Sequence, residues 1–546
     1  MQKKQDYIKV SSYEGKKGEV KKVVLLYSGG LDTSVMLKWI QDEYNAEVIA
    51  LTIDIGQQAD DLDAVRKKAL KLGAIKAYVI DAKDEFAEEY IVKGIKANAS
   101  YQGKYHLSTP IGRPLLAKWA VKIAAQEGAD TIAHGCTGKG NDQVRIEGVC
   151  LALNPDVKII APVREWGMGR DEELEYAKQN NIPVKQTKDV PYSWDDNMWG
   201  VTGEGGEIEN PALIPPLANI LQVSTLPEDA PNKAEFVEIE FVKGLPVAVN
   251  GKQMKLADLI IHLNHVGAKH GVGITHHIED RVVGLKVRGI YEAPAAEILV
   301  DAHRNIEKYV STRIENEFKE EIDIKWAYSV YAGFWYDPYL SHLNAYINDQ
   351  NEKVTGTVTV KLFKGFVEAV AVETPNTIFE EKLATFMASS DFNQNASAGF
   401  IELYTLQTRL AQRAEKTALL SIGSRNNKMK LKKTLHNLNN MGYKLYATYK
   451  THKFLKREGI EAILVNKISE PNKKPNLKDL LESNRFDLII NIPTDPDREE
   501  RTDKELTDGQ VIRQKAVKNN VKMVTSVGVA KELVEKLQAT GVKKSQ

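Results

Sequence analysis

The sequence predicts an α/β protein of three domains: a parallel-sheet domain, an α+β domain and a small C-terminal α/β domain. Three observations predict it. Short apolar runs alternate with amphipathic stretches up to about residue 165, and the alternation returns from Thr417; that is the pattern of parallel strands joined by crossover helices. Between the two regions the texture changes to Trp/Gly-rich and Pro-rich segments, as in a mixed domain. Finally, 546 residues exceed what one hydrophobic core accommodates.

The elements follow in order. Residues 22–27 (KVVLLY) form an unbroken apolar run that ends at Ser28-Gly29-Gly30, a buried strand closed by a turn. Val35, Leu37, Trp39 and Ile40 mark the helix after it. Residues 47–54 (EVIALTID) are a second strand, 60–72 an amphipathic helix ending at Gly73, and 77–81 a third strand followed by helix to about Ala97. Residues 113–127 read as helix, 131–134 and 158–161 as strands. Ligands on such sheets lie at the carboxyl ends of strands, where Ser28 and His134 fall. Residues 21–170 are assigned to this domain, after a polar, Lys-rich extension over 1–20.

The second domain, 171–414, opens with a helix over 172–180, a Trp/Gly-rich stretch and the Pro-rich segment 211–231. Strands are expected over 236–242, 354–363 and 367–372, around helices over 256–266 and 294–318, with a closing helix over 403–414. The third domain, 415–546, alternates ALLSI, YKLYAT, AILVN, FDLIINI and VKMVTS with helical segments.

A composition of 42% apolar and 27% charged residues is that of a soluble globular protein. No apolar run reaches membrane-spanning length and no signal peptide precedes the first strand, so no membrane partner is expected. Cys136 and Cys150 fit no CxxC or zinc spacing, which points to a reducing compartment, the cytoplasm. The net charge of zero hides an asymmetry: residues 415–546 carry 27 Lys+Arg against 16 Asp+Glu, the remainder 47 against 58. A basic terminal domain can bind a phosphorylated small molecule, nucleic acid or the acidic body itself. The aromatic–basic interleaving of nucleic-acid binders is missing from it, so no nucleic-acid partner is expected.

Two motifs carry the chemistry. Ser28-Gly29-Gly30-Leu31-Asp32-Thr33-Ser34 joins a strand to a helix N-terminus lined with hydroxyls. Free backbone N–H groups and the positive end of the helix dipole suit a pyrophosphate there. The spacing is neither GxxxxGK[ST] nor GxGxxG; it resembles the SGGxDS/T loop of the PP-loop ATP pyrophosphatases, which release pyrophosphate and leave AMP on the substrate. His134-Gly135-Cys136-Thr137-Gly138-Lys139-Gly140-Asn141-Asp142-Gln143-Val144-Arg145 also follows a strand. Its glycines allow close backbone approach, its Lys and Arg neutralise phosphate or carboxylate, and its Asn and Asp can orient an amine.

Together these motifs resemble the argininosuccinate synthase family. DIGQ (54–57), Tyr105 through Arg113-Pro114, YSWDDN (192–197), KHGVG (269–273), Glu279-Asp280-Arg281 and RGIYE (288–292) extend the resemblance over roughly 21–412. It implies ATP-dependent joining of citrulline and aspartate through citrullyl-AMP, with Mg²⁺ on the ATP phosphates rather than on protein side chains. It implies an ATP site at Leu26, Tyr27, Ser28, Gly29, Gly30, Leu31, Asp32, Thr33, Ser34, Ile53 and Gly135. It implies an aspartate site at Thr137, Asn141 and Asp142, with Asp142 a candidate base for the amine. It implies a citrulline site at Tyr105, Asn141, Arg145, Ser193, Thr202, Glu279 and Tyr291. A homotetramer is implied too, with the helix over 403–414 helping association. Two positions depart from the family pattern: Pro110 and Thr202 stand where Ser is common. His262, His265, His270, His276 and His277 cluster without HExxH spacing, so packing and surface roles are expected of them.

The segments ALLSIGSRNNK, GYKLYATYKTHKFLKREGI, VNKISE, KPNLKDLL, DLIINIP and GQVIRQKAV resemble the methylglyoxal-synthase-like domain. The resemblance implies an anion-binding effector site at Lys428, Thr448, Thr451, Lys467 and Asn491. Residues 493–508 lack the GGD-like acidic loop of the methylglyoxal-forming enzymes, and Lys450 replaces a usual Gly. A tRNA-thiolating PP-loop enzyme would need zinc or catalytic thiol pairs that the sequence lacks; a catalytically dead ATP-binding regulator sits poorly with intact motifs.

Overall fold

The computed structural model describes residues 15–58, 61–183, 191–387, 390–414, 416–494 and 507–542. Most of the expected N-terminal extension, and residues 495–506 of the stretch compared with the GGD-like loop, lie outside them. The chain forms two compact units, Met1–Glu381 and Lys382–Gln546.

The first unit begins with a five-stranded parallel sheet in the order Lys76–Asp81, Glu47–Asp54, Lys22–Leu26, Thr131–Ala133, Lys158–Ile160. Val23, Val24 and Leu25 of its central strand are wholly buried, which is why an unbroken apolar run was needed there. Helices pack on both faces: Leu31–Tyr44 with its Met36, Leu37 and Ile40 on one, Ser108–Glu127 with Ile111, Leu115 and Ile123 on the other. The latter helix starts at Ser108, five residues before the expected 113. Pro110 falls in its first turn, where the N–H has no intrahelical acceptor and its loss costs little; only Pro114 sits further in.

Two antiparallel sheets follow. One runs Ile274–Asp280, Lys286–Glu292, Gly200–Gly205, Tyr192–Asn197; the other runs Lys252–Gln253, Leu245–Val249, Glu235–Val242, Gly356–Phe363, Phe366–Glu373. The strands of the first sheet escaped the sequence reading. Tyr192–Asn197 is Ser/Asp/Asn-rich and Gly200–Gly205 carries three glycines, weak strand formers held by pairing. The single helix expected over 294–318 is two, Pro294–Val310 and Arg313–Tyr331. Ser311 and Thr312 are extended between them, and Thr312 caps the second helix reciprocally with Glu315.

The second unit holds helices Ala396–Tyr404 and Leu406–Ala414 where one was expected over 403–414. After them comes a parallel sheet in the order Ile463–Val465, Lys444–Thr448, Thr417–Ile422, Leu488–Ile492, Lys522–Val524. Alternate residues of the central strand serve opposite cores: Leu420 and Ile422 pack with Leu435 and Leu455, Leu419 with Tyr446 and Leu477. The fold is therefore α/β with parallel sheets in both units and an α+β region between them in sequence, as the sequence predicts.

Candidate active site

The loop over 28–34 is built on two glycines of different kinds. Gly29 has φ +81°, and a Cβ there would meet Val65 Cγ1 at 2.9 Å. Gly30 is extended and precedes the helix Leu31–Tyr44. Ser28 Oγ lies 3.1 Å from Thr33 Oγ1 and accepts from Gly30 N–H at 3.4 Å. Ser34 Oγ donates to the Gly30 carbonyl at 2.6 Å and lies 3.2 Å from the buried Tyr27 hydroxyl. Burial pushes the Tyr27 phenol up. Asp32 is exposed and faces Glu173, whose carboxyl burial and the nearby Asp32 push well above the usual carboxylate range. Leu26 ends the strand and Ile53 is buried on its neighbour.

Beside this loop a cavity of about 380 Å³ is lined by Thr33, Gly135, Thr137, Asn141, Asp142, Tyr105, Arg145, Ser193, Thr202, Glu279 and Tyr291, together with Thr109, Arg113, Cys136, Gly140, Asp195, Glu204 and Arg281. All the residues assigned to aspartate and citrulline by resemblance meet here; of the ATP set, Thr33 and Gly135 reach it. Leu26, Tyr27, Ser28, Gly29, Gly30, Leu31, Asp32, Ser34 and Ile53 are not among its lining residues. A larger groove of about 1490 Å³ beside Gln102 and Tyr328 contains none of the assigned residues.

Three elements supply the cavity's charges. From the helix Asp142–Leu153, Asp142 accepts from Arg145 Nη1 at 2.8 Å and from Arg113 Nε at 2.9 Å. Arg113, from the helix Ser108–Glu127, also bonds Asp195. Burial raises the Asp142 carboxyl, but Arg113 and Arg145 outweigh it and hold it below the usual range. From the antiparallel sheet, Glu279 bonds Arg281 Nε at 3.1 Å and the Tyr291 hydroxyl at 3.1 Å. Burial and Glu279 push the Tyr291 phenol well up. Arg281 continues to Glu204 at 2.6 Å and to the Lys139 carbonyl at 3.3 Å, and Val282 N–H donates to Asn141 Oδ1 at 2.9 Å. The sheet thus grips the loop that carries the aspartate-assigned residues. Arg145 Nη2 is buried and has no partner among the described residues. An unpaired buried guanidinium nitrogen is costly, and a bound carboxylate would satisfy it.

Pro110 offers no hydroxyl, yet Thr202 Oγ1 lies 3.3 Å from Thr109 Oγ1 and 3.5 Å from Ser108 Oγ. Sequence reading gave no role to Thr109, Arg113, Asp195, Glu204 or Arg281. All but Glu204 lie within motif strings quoted for the resemblance, so position within those strings was the available signal. Of the histidines, His277 is buried on the strand Ile274–Asp280, and His270 bonds Glu235 at 2.9 Å.

In the second unit Ser421 and Asn491 are register partners, and Thr448 Oγ1 donates to Ser421 Oγ at 3.4 Å. Thr451 is wholly buried, and its hydroxyl bonds the N–H and carbonyl of Ile422. Asn491 Nδ2 donates to the Gly509 carbonyl at 2.8 Å. Lys428 is 5% exposed and donates to the Gly423 carbonyl at 2.5 Å. Burial and Lys450 pull its ammonium down, and no carboxylate pairs with it among the described residues. Lys467, exposed, lies just beyond the strand Ile463–Val465.

Residues 22–183 match the family model described as the arginosuccinate synthase N-terminal HUP domain, 192–411 that of the arginosuccinate synthase C-terminal domain, and 430–525 the MGS-like domain. The chain is 50% identical over 390 residues to an argininosuccinate synthase of Oceanobacillus iheyensis, spanning 71% of this chain and 93% of that protein. It is 49% identical over 390 residues to that of Pyrococcus furiosus, spanning 71% and 94%. The Brevibacillus brevis protein of the same name is 48% identical over 389 residues, spanning 71% and 92%. With both synthase models matched in order and about half the aligned residues identical to relatives spanned over more than nine-tenths of their length, this chain belongs to the argininosuccinate synthase family, the ATP-dependent carbon–nitrogen ligases that join citrulline and aspartate.

Proposed function

We propose that the 380 Å³ cavity is where this chain joins citrulline to aspartate, and that its second unit binds a small anionic metabolite. One observation carries the first reading: the aspartate-assigned and citrulline-assigned residues line the same cavity as Thr33 of the phosphate loop. Two substrates and an activated phosphate must meet within bonding distance, and such convergence is what positioning requires.

The ureido oxygen of citrulline is a poor leaving group. In the first step it attacks the α-phosphate of ATP, forming citrullyl-AMP and expelling pyrophosphate; the aspartate amine then displaces AMP. Leu26, Tyr27, Ser28, Gly29, Gly30, Leu31, Asp32, Thr33 and Ser34, with Ile53 and Gly135, hold ATP, and the helix N-terminus stabilises the pyrophosphate. Glu279 pairs with the citrulline α-amino group, while Tyr105, Ser193, Thr202 and Tyr291 line its chain. The open Nη2 of Arg145 takes a carboxylate. Thr137, Asn141 and Asp142 receive aspartate. Asp142 acts there as a fixed anion: with an Arg on each oxygen its carboxyl is held below the usual range, which suits it to orienting the amine and makes it a weak base for it. The exposed Asp32 and the Ser28 and Thr33 hydroxyls would offer oxygen atoms to the waters of an Mg²⁺ held by the ATP phosphates. Bound to the phosphates, Mg²⁺ neutralises their charge.

The test is pyrophosphate release by the full chain with ATP, Mg²⁺, citrulline and aspartate. Release should depend on citrulline; release that ignores it would sink the reading.

For the second unit the supporting observation is Lys428, a buried ammonium that bonds the Gly423 carbonyl and has no carboxylate partner among the described residues. An uncompensated buried cation is expensive, and an anion at Lys428, Thr448, Lys467 and Asn491 would offset it. Because Thr451 serves the main chain of Ile422, it shapes the pocket rather than binding. Phosphorylated metabolites should shift synthase turnover, and Lys428→Met should abolish the shift while sparing basal turnover. Unchanged regulation in that variant would remove the proposal. Homotetramer formation is supported by exposed apolar side chains on and before the helices of 396–414, among them Phe386, Phe400, Ile401, Leu403 and Tyr404; light scattering tests it. No helix among the described residues is long and apolar enough to cross a membrane. Cys136 and Cys150 are both free, which supports a reducing, cytoplasmic setting.

A further inference from the structure

We propose that Arg113 is the positioning residue for the second step, acting on aspartate through Asp142. The inference rests on the placement of aspartate at Asp142 proposed above.

Arg113 lines the cavity, but its Nε and Nη2 are committed to protein carboxylates. Its Nε donates to Asp142 Oδ2 at 2.9 Å, its Nη2 lies 2.8 Å from the same oxygen, and Nη2 also bonds Asp195. The side chain is 13% exposed. A guanidinium held in this fork has a fixed plane and little freedom to meet a substrate carboxylate itself. What it does is fix Asp142 from the side opposite Arg145, whose Nη1 holds Oδ1 at 2.8 Å.

The two arginines differ in what else they touch. Arg145 bonds the Tyr331 carbonyl at 2.9 Å and keeps Nη2 open, so it faces substrate directly. Arg113 instead joins the helix Asp142–Leu153 to the strand Tyr192–Asn197, which carries Ser193 of the citrulline set. It therefore sets the spacing between the carboxylate that receives the amine and the strand that flanks the carbon to be attacked. Arg113, Arg145, Asp142 and Asp195 also balance as two cations and two anions. Removing Arg113 leaves an excess negative charge beside the incoming aspartate, whose own carboxylates are then repelled.

Adenylation consumes no aspartate, so loss of Arg113 should separate the two half-reactions. The experiment uses the full chain with Arg113→Gln, Arg113→Lys and Asp142→Asn. One readout is citrulline-dependent exchange of labelled pyrophosphate into ATP without aspartate; the other is argininosuccinate formation across pH. Arg113→Gln should lower kcat/KM for aspartate by about 10- to 100-fold, the loss of charged hydrogen bonds, while exchange falls less than about threefold. Arg113→Lys should recover part of the loss, since it restores charge without the fork. The acid limb of kcat/KM for aspartate should move to higher pH in Arg113→Gln, because Asp142 loses one of the cations that hold its carboxyl low.

Equal loss in both half-reactions, or aspartate kinetics unchanged in Arg113→Gln, would overturn the proposal. Asp142→Asn separates this from failure of the underlying reading. If Asp142→Asn leaves aspartate kinetics intact, aspartate does not bind at Asp142 and both fall; if it impairs them while Arg113→Gln does not, only the role of Arg113 falls.

Discussion

The hydroxyl of Tyr331 accepts a hydrogen bond from Asn141 Nδ2 at 2.8 Å. The main-chain carbonyl of the same tyrosine accepts one from Arg145 Nε at 2.9 Å. One residue at the end of the helix Arg313–Tyr331 thus orients two side chains of the cavity. Tyr331 is itself held by Tyr101, whose ring stacks on it at 3.6 Å between centroids, 7° from parallel.

Tyr331→Phe keeps that stack and the carbonyl but releases Asn141. Because Asn141 belongs to both the aspartate and the citrulline sets, KM for both should rise, by about threefold to tenfold for one neutral hydrogen bond. Leaving the buried Asn141 amide without its acceptor should also cost about 1–3 kcal/mol of stability. A KM change confined to one substrate would show that Asn141 serves only that one.

Pro110 lies in the first turn of the helix Ser108–Glu127, where no intrahelical bond needs its N–H. Pro110→Ser should therefore fold normally and restore the hydroxyl common in the family pattern at this position, next in sequence to Thr109. Citrulline KM should fall by about fivefold, the worth of one hydrogen bond. An unchanged citrulline KM would mean that the hydroxyls of Thr109 and Thr202 already fill the role.

The residues that were legible in the sequence are those contiguous in the chain. The phosphate loop at 28–34 and the loop at 134–145 each bring their glycines and polar groups in one string, because a strand end followed by a helix N-terminus is a local arrangement. Tyr331 was not legible: it lies 190 positions from Asn141, and nothing in its own neighbourhood marks it. Arg113 was visible as a motif residue, but its partners come from 29 and 82 positions away. The strands Tyr192–Asn197 and Gly200–Gly205 were hidden for a related reason. Their residues have low strand propensity, and it is pairing with each other and with Lys286–Glu292 that forms them.

Glu173, on the helix Arg170–Gln179, is buried against Asp32 at the phosphate loop. Burial first, and Asp32 second, push its carboxyl well above the usual range. The native state therefore holds this proton more tightly than the unfolded chain, where a Glu titrates near about 4.3. Its contribution to stability is complete below that value and is lost as pH rises through the raised native one. Glu173→Gln cannot ionise, so its melting temperature should decline less with rising pH than that of the parent protein. Parallel pH profiles of the two would show that Glu173 is ionised in the folded protein.

Gly29 and Gly30 separate backbone strain from ligand contact. At Gly29 the backbone is left-handed and an added Cβ meets Val65 Cγ1 at 2.9 Å; at Gly30 the nearest atom is Ser28 Oγ at 3.5 Å, an ordinary contact. Gly29→Ala should cost about 1–2 kcal/mol for the left-handed conformation alone, and lower the melting temperature by about 1 °C per kcal/mol. Gly30→Ala should leave melting unchanged. If the loop holds pyrophosphate against its backbone, both variants should still raise the KM for ATP, by at least about tenfold, since a methyl at either position keeps phosphate from the N–H groups. The decisive variant is Gly30→Ala: a normal melt with a raised ATP KM puts the phosphate against that backbone. A normal melt with a normal ATP KM moves the pyrophosphate away from Gly30, towards the Ser28 and Thr33 hydroxyls, which lie 3.1 Å apart.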